Sequence, residues 1–579
     1  MKIYRTEHPN PQWERKNWKN LNGEWDFELD LSKSAREKKL YEGAELTKKI
    51  IVPFCPESDL SGIGYKDFIP AVCYKKVIEI SEAEIQNNVF LHFGAVDFES
   101  FIYINGELAG RHEGGYSSFE IDITKYLKLG KNVIFVIAED DTRSGSQPTG
   151  KQSTESNPSG CLYTRTTGIW QTVWLEFVPK TYIKNAKYYP DINSQTLTII
   201  GEVIGSGEIK ATAKYKGKTV GESTVNTVAN NFMMQVKLSK LHLWEIGKGR
   251  LYDLELSFND DSVKSYFGMR SVCLDGIRFM LNNKPVFLRT VLDQGYYPDG
   301  IYTAKSDDEF IKDIQISMDA GFNSARLHQK VFEKRFIYYC DKMGYMVWGE
   351  HANWGMDYKS AVACENFINE WMEILERDFN SPAIIGWCPF NETWEYFEAK
   401  EKNYVGMRNR HRIIETVYNV TKSIDSTRPC IETSGNYHID NYEIFDVHDY
   451  ESDPEKFKEH YAHIDEGIVN DQVRRMYGDS VQKYIGGPIY LSEYGGMRWS
   501  AEVESGWGYC APESIEEFIK HYKDLTDVIL DNPYILGFCY TQLYDVETEM
   551  NGLYTYNRVP KFDIERFKKI NQRKAKIEE

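Results

Sequence analysis

The chain has 579 residues, more than one hydrophobic core can organise, so about three domains are expected. A formal net charge of −18 excludes nucleic acid and anionic membranes as partners, since both need concentrated lysine and arginine. Aromatic residues make up 14%, with 13 Trp and 39 Tyr, enough to fill β-rich cores and leave a few ring faces for a ligand.

Residues 1–180 read as short strands with turn punctuation: WDFEL, KIIVPF, CYKKVIEI, NVFLHFGAV, SFIYINGELAG, NVIFVIAED and WQTVWLEFV. Alternation in SFIYI and NVIFVIAE, with the Asn105-Gly106 hairpin signal between them, predicts a β jelly roll or antiparallel sandwich. The stretch from Arg143 to Arg165 is rich in Ser, Gly and Thr and too long for an ordinary connection. It is either a disordered excursion or a loop that reaches a site in another domain. Residues 181–273 hold a second set of short alternating strands, which predicts an immunoglobulin-like β-sandwich acting as a spacer.

From residue 274 to 579 strands alternate with helices, the signature of a parallel sheet with crossover helices. Ser306 to Glu309 has the spacing of a capping box, Phe310, Ile314 and Met318 repeat at helical spacing, and Gly321 stops the helix. Strands are predicted at Val286–Val291, Asn323–Leu327, Tyr345–Gly349, Ile384–Pro389, Pro429–Glu432, Phe445–Asp449, Ile489–Ser492 and Leu536–Thr541, which together make a (β/α)₈ TIM barrel. The gap from Pro429 to Phe445 is too short for a regular helix, so that unit is degenerate.

Catalysis in such a barrel sits at the C-terminal ends of the strands. The polar residues found there are Asp293, Arg326, His328, Glu350, Asn391, Glu392, Glu432, His448, Tyr450 and Glu493. IIGWCPFNETW (384–394) and PIYLSEYGG (488–496) each end an apolar strand on a carboxylate flanked by aromatics, including Trp394, a pattern suited to acid/base chemistry on a sugar. A barrel-rim ion pair accounts for any single strand-end Glu equally well. No HxH, HExxH, GxGxxG or GxxxxGK[ST] spacing supports a metal or a nucleotide, so no metal and no cofactor are expected.

The ten cysteines form no CxxC pair and no short even framework, and are read as mostly buried free thiols. The segment MKIYRTEHPNPQWERKNW has no apolar signal-peptide core, and no apolar run reaches membrane-spanning length. A cytoplasmic location with no membrane partner is the expectation.

NVFLHFGAVDFESFIYINGELAGRHEGGYSSFEIDIT, GIWQTVWLE, YFGMRSV, PFNETW and YLSEYGG, taken in this order, resemble glycoside hydrolase family 2, which holds β-galactosidases, β-glucuronidases and β-mannosidases. The resemblance covers nearly the whole chain. It implies a sugar-binding jelly roll, an immunoglobulin-like sandwich, a catalytic TIM barrel and a homo-oligomer. It also implies that Glu392 is the general acid/base, Asn391 holds the sugar 2-hydroxyl, Glu493 is the nucleophile, and Tyr450 and Arg326 contact that nucleophile.

The chain departs from the glucuronidases where they carry Asn-x-Lys to bind the sugar carboxylate. Here Glu549 and Asn551 stand in those places, and this disfavours a glucuronide electrostatically unless Arg165 or another cation of the long loop supplies a different clamp. RLHQK also differs from the usual Arg-x-Ser-His, which leaves the role of His328 open. The expectation is a retaining exo-β-glycosidase acting on terminal β-D-glycosides, with β-galactosides ahead of β-glucuronides or β-galacturonides. A non-catalytic carbohydrate-binding scaffold is the reading of another class.

Overall fold

The computed structural model describes residues 3–393, 404–435, 438–470, 484–500 and 506–579, with the backbone alone for 404–411. In the N-terminal jelly roll a six-stranded antiparallel sheet runs Lys48–Val52, Gly23–Leu29, Ala71–Ile80, Gly130–Glu139, Glu99–Ile104, Glu107–Glu113. It faces a four-stranded sheet of Trp18–Asn20, Val173–Val178, Asn88–Phe93 and Phe119–Asp122. Asn105 (φ 53°) and Gly106 (φ 88°) both take the left-handed region, the twist that a two-residue hairpin needs, and Ile104 pairs with Glu107 across the turn.

The second domain packs three strands (Tyr182–Asp191, Thr196–Ile204, Asn231–Lys237) on four (Lys218–Thr227, Gly207–Tyr215, Leu251–Phe258, Asp261–Gly268). Alternation in sequence becomes alternation in burial. Along Asn231–Lys237 every second side chain (Phe232, Met234, Val236) is buried and its neighbours face solvent.

The barrel strands behave differently. Leu288–Asp293, Ser324–Leu327, Met346–Glu350, Ile384–Cys388, Ile489–Gly495 and Ile535–Thr541 are buried at every position, because helices cover one face and the barrel interior the other. The seven-stranded parallel sheet is ordered Ile384–Cys388, Met346–Glu350, Ser324–Leu327, Leu288–Asp293, Ile535–Thr541, Ile489–Gly495, Phe445–Asp449. The strand expected at Pro429–Glu432 is not regular. Residues 429–434 make only parallel bridges from Cys430 to Trp387 and from Ser434 to Asn391, and the Ser434 side chain reaches His448 and Ser492 on the far side. Pro429 has no N–H to donate to a ladder, which fits this irregular eighth stave.

The Asp307–Asp319 helix ends two residues before Gly321 (φ 88°). Its expected capping box is not formed: Ser306 makes no side-chain cap, and Glu309 instead accepts from the Lys305 backbone N–H at 2.7 Å. All ten cysteines are free; six are buried, and Cys273 is exposed.

The domains are welded rather than strung together. Jelly-roll residues Ala95, Tyr116, Tyr163 and Trp170 belong to the same apolar core as the barrel. Arg15 bridges Glu176 of the jelly roll (3.2 Å) and Asp261 of the sandwich (2.9 Å) with all three side chains buried. Glu370, on the barrel helix Ala361–Asp378, accepts the backbone N–H groups of Tyr116 (2.6 Å) and Ser117 (3.1 Å). The long loop is described in full and lies on the barrel: Thr149 and Gly150 donate their N–H groups to the Trp354 carbonyl at 2.8 and 3.2 Å. Such fixed contacts let a jelly-roll side chain act at the barrel mouth.

Candidate active site

Arg326 is the penultimate residue of the Ser324–Leu327 strand, inside the barrel, and is 0% exposed. Its Nη1 donates to Glu493 Oε1 (3.1 Å) and the Ser492 carbonyl (3.2 Å), its Nη2 to Asn391 Oδ1 (2.5 Å), and its Nε to Glu350 Oε2 (2.6 Å). One planar guanidinium thus sets the positions of three side chains from three other strands. Because an arginine only donates, the contact also fixes which end of the Asn391 amide is oxygen. The Asn391 Nδ2 is then buried with no acceptor among the described residues. A buried donor left open is costly, and an acceptor on a bound ligand would satisfy it.

Glu392 follows Asn391 in a left-handed conformation (φ 39°), and its N–H donates to the Ser434 carbonyl at 2.8 Å. Its Oε1 is 2.6 Å from His448 Nδ1, and the opposite ring nitrogen lies 2.9 Å from Ser434 Oγ. Burial opposes a charge on His448, but Glu493 and Glu392 outweigh it and raise the imidazole above its ordinary value. Tyr450 donates its hydroxyl to Glu493 Oε2 and stacks on Tyr509. One carboxylate oxygen of Glu392, one of Glu493 and a His448 ring nitrogen all lie within 4.8 Å of one another. Among the described residues this is the one trio with ligand-like spacing for a metal, and the positive charge beside it comes from Arg326.

Several residues expected at the sugar stand elsewhere. Both Glu350 oxygens are occupied by protein donors: Oε2 by Arg326, and Oε1 by the Gln329 N–H (3.0 Å) and His328 Nδ1 (2.9 Å). Glu350 therefore orients Arg326 and His328 instead of the ligand. With Nδ1–H directed at Glu350, His328 is neutral; burial, then Lys151 and Arg326, push its pKa well below the usual value. Asp293 accepts from the Gly295 N–H (2.9 Å) and from the Tyr544 hydroxyl (2.5 Å), part of a network below the mouth. Burial, then the charge of Asp313, raises the Asp293 pKa to about 6. Glu432 pairs with His438 at 2.8 Å and not with Glu392 or Glu493. Arg165 is turned back onto its own loop, where it donates to the carbonyls of Ser153 and Glu155, and onto an earlier jelly-roll segment, where it donates to the Lys66 carbonyl and lies over the Phe68 ring at 4.1 Å. Trp394 lies outside the described residues.

Glu549 is buried at the mouth, accepting from the Tyr163 hydroxyl and from Asn551 Nδ2 (2.9 Å). Burial raises its pKa, against the opposing charge of Lys151. Lys151, Trp354 and Tyr163 were not singled out by the sequence reading. Lys151 belongs to the long loop, and its ammonium lies 4.0 Å from the Trp354 ring. The signal that could have found it was the length of that loop, which also contains Arg143 and Arg165 and offers no periodicity to choose among them.

A jelly roll and a sandwich braced on a TIM barrel, with two facing carboxylates at the strand ends, define a glycoside hydrolase. The chain belongs to glycosyl hydrolase family 2. The family's sugar-binding domain matches residues 18–147, its central domain 181–270, and its TIM-barrel domain 272–576. A putative β-glucuronidase of Formosa agariphila is 27% identical over 55% of this chain, and the match spans 40% of that protein. A β-galactosidase of Thermoanaerobacter pseudethanolicus is 28% identical over 54% of this chain and 44% of its own length. The chain thus spans less than half of each of these two relatives. A β-glucuronidase of Streptococcus agalactiae matches 96% of both chains at 22% identity. Among solved structures, a β-glucuronidase from an uncultured Clostridium sp. superimposes with a TM-score of 0.79, covering 96% of this chain and 98% of its own at 19% identity, a likeness of fold.

Proposed function

We propose that this family 2 β-glycosidase is a retaining exo-enzyme that removes terminal, non-reducing β-D-uronic acid residues. The observation that carries the mechanism is the approach of Glu392 and Glu493 to within 4.8 Å at their facing oxygens. A retaining pair stands about 5–5.5 Å apart, whereas an inverting pair leaves about 6.5–9.5 Å for a water. Glu493, held by Arg326 and Tyr450, attacks the anomeric carbon. Glu392 protonates the departing oxygen, and His448 fixes its orientation. Formation of the glycosyl ester removes the negative charge of Glu493, so Glu392 holds a proton less tightly and takes one from the incoming water. Asn391 Nδ2 grips the sugar 2-hydroxyl.

The uronide reading draws support from the Streptococcus agalactiae β-glucuronidase, which matches along 96% of its length, whereas the Thermoanaerobacter β-galactosidase matches over less than half of its own. It reverses the order expected from Glu549 and Asn551 alone. The β-galactoside is retained as the second reading because Glu549 places a buried carboxylate at the mouth. A panel of nitrophenyl β-glycosides of glucuronate, galacturonate, galactose, mannose and arabinose decides between them. One uronide should exceed the galactoside in kcat/KM by at least about tenfold, roughly 1.4 kcal/mol of transition-state binding. A faster galactoside would overturn the uronide reading, and an inverted first product would overturn the retaining one.

A further inference from the structure

We propose that Lys151, carried into the barrel mouth by the jelly-roll loop, is the cation that receives the C6 carboxylate of the terminal uronic acid. This rests on the uronide reading above and names the residue that gives the site its charge selectivity. The usual position for such a cation is lost in this chain, where Glu549 and Asn551 bond to each other at 2.9 Å.

Among the described residues the mouth carries three carboxylates, those of Glu392, Glu493 and Glu549, all buried. A substrate carboxylate would be the fourth, and repulsion would keep it out unless a positive group faced it. Arg326 cannot serve, because its donors are directed at Glu350, Glu493, Ser492 and Asn391. Arg165 is directed at loop carbonyls. Lys151 is different: the residue is 6% exposed, yet among the described residues its ammonium meets neither a hydrogen-bond acceptor nor a carboxylate within ion-pair distance. Its close contact is the Trp354 face at 4.0 Å, which stabilises a cation without using any of its three N–H donors.

The position of that ammonium is built by the fold. The Trp354 indole N–H donates to the Asn391 carbonyl at 3.2 Å, which sets the ring directly beside the loop bearing Glu392. On the other side the Lys151 carbonyl accepts the Tyr163 N–H at 2.7 Å, and the Tyr163 hydroxyl binds Glu549. Gly150 permits this close approach: it has φ 59°, and a Cβ there would come within 2.3 Å of the Gln329 carbonyl. Burial opposes the charge on Lys151, but Cys161, Glu549, Glu493 and Glu392 raise its pKa above the ordinary lysine value, so it stays an ammonium. A fixed ammonium with open donors can meet a carboxylate without reorganising first.

The test compares wild type, K151M and K151R on nitrophenyl β-D-glucuronide, β-D-galacturonide and β-D-galactoside. The ratio of uronide to galactoside kcat/KM should fall at least about 100-fold in K151M and recover in part in K151R. Free D-glucuronate and D-galacturonate should inhibit K151M more weakly than wild type, a binding readout independent of turnover. If K151M loses uronide and galactoside in parallel, or keeps its ratio and its uronate inhibition, Lys151 is only a counter-charge to Glu549 and the proposal is overturned. If the wild type cleaves no uronide, the substrate reading fails first, in a measurement that involves no variant.

Discussion

At the scale of single residues the site is organised by one guanidinium. Arg326 holds Glu493, Asn391 and Glu350 together from within the barrel, where their charges interact more strongly than in water. This division of labour has a stereochemical consequence. Glu493→Ala should lower turnover of every substrate by at least about 10⁴-fold, and azide should rescue it with formation of the α-glycosyl azide. Glu392→Ala should still form the glycosyl ester from dinitrophenyl glycosides, lose activity on poor leaving groups, and yield the β-glycosyl azide. Product analysis by NMR checks both, and opposite anomers would mean that the two roles are exchanged. Both glutamates are legible in the sequence, because each ends an apolar strand and a barrel brings strand ends together. Glu350 and Asp293 end strands too. Whether such a carboxylate faces the ligand or a neighbouring side chain depends on partners that are distant in the chain, here Arg326 and Tyr544.

At the scale of elements the loop from residue 143 to 165 is the unusual one. It has no regular strands, so its shape comes from side chains. Arg165 gathers the Ser153 (3.0 Å), Glu155 and Lys66 carbonyls. Thr164 binds Glu547, and Thr548 binds the Gly160 carbonyl at 2.9 Å. Arg165→Met should leave those carbonyls without a donor and loosen the segment that carries Lys151 and Tyr163. We expect KM to rise about tenfold while kcat changes less than about threefold, since the loop carries Lys151 and Tyr163 whereas Glu493 stands on the Ile489–Gly495 strand and Glu392 just beyond Ile384–Cys388. Steady-state kinetics on the preferred nitrophenyl glycoside measures this, and an unchanged KM would separate the folding of the loop from the site. The sequence left open whether this loop was a disordered excursion or a reaching arm. Ser, Gly and Thr composition is the same in both cases, and the contacts that decide it lie some two hundred residues further along, at Trp354, and again at Glu547.

At the scale of the whole molecule, stability is tied to buried charges near the domain junctions. Burial raises Glu57 to about 8 against its Thr167 hydrogen bonds, and raises Glu370 to about 8 against the Tyr116 N–H. The unfolded chain releases these protons near its ordinary carboxylate range, while the folded chain keeps them, so stability falls as pH rises from about 4.5 toward 8. Glu176 acts in the opposite sense. Burial would raise it, but the His92 hydrogen bond and the Arg15 charge bring it to about 2, so its contribution is lost as pH falls below about 4.5 toward 2. Glu57→Gln keeps the shape and removes the titration. Calorimetry should show its Tm above wild type at pH 8 by a few degrees, on the order of 2 kcal/mol, with little difference at pH 5. An equal shift at both pH values would remove Glu57 from the account.

By itself the sequence determined the architecture and nominated the two carboxylates proposed to react. Alternation at period two specifies half-buried strands, unbroken apolar runs specify barrel strands, and a strand that stops at a carboxylate places that carboxylate at the mouth. These are local signals, carried by residues close together in the chain. Only the tertiary structure decided which polar groups meet: that Glu350 serves Arg326, that Arg165 closes its own loop, that residues 429–434 bridge the barrel without a regular strand, and that Lys151 from the jelly roll stands beside Trp354 of the barrel. The physical reason is range. Patterning acts over a few residues, whereas the charge that a site presents to its ligand is the sum of groups that folding brings together from different domains.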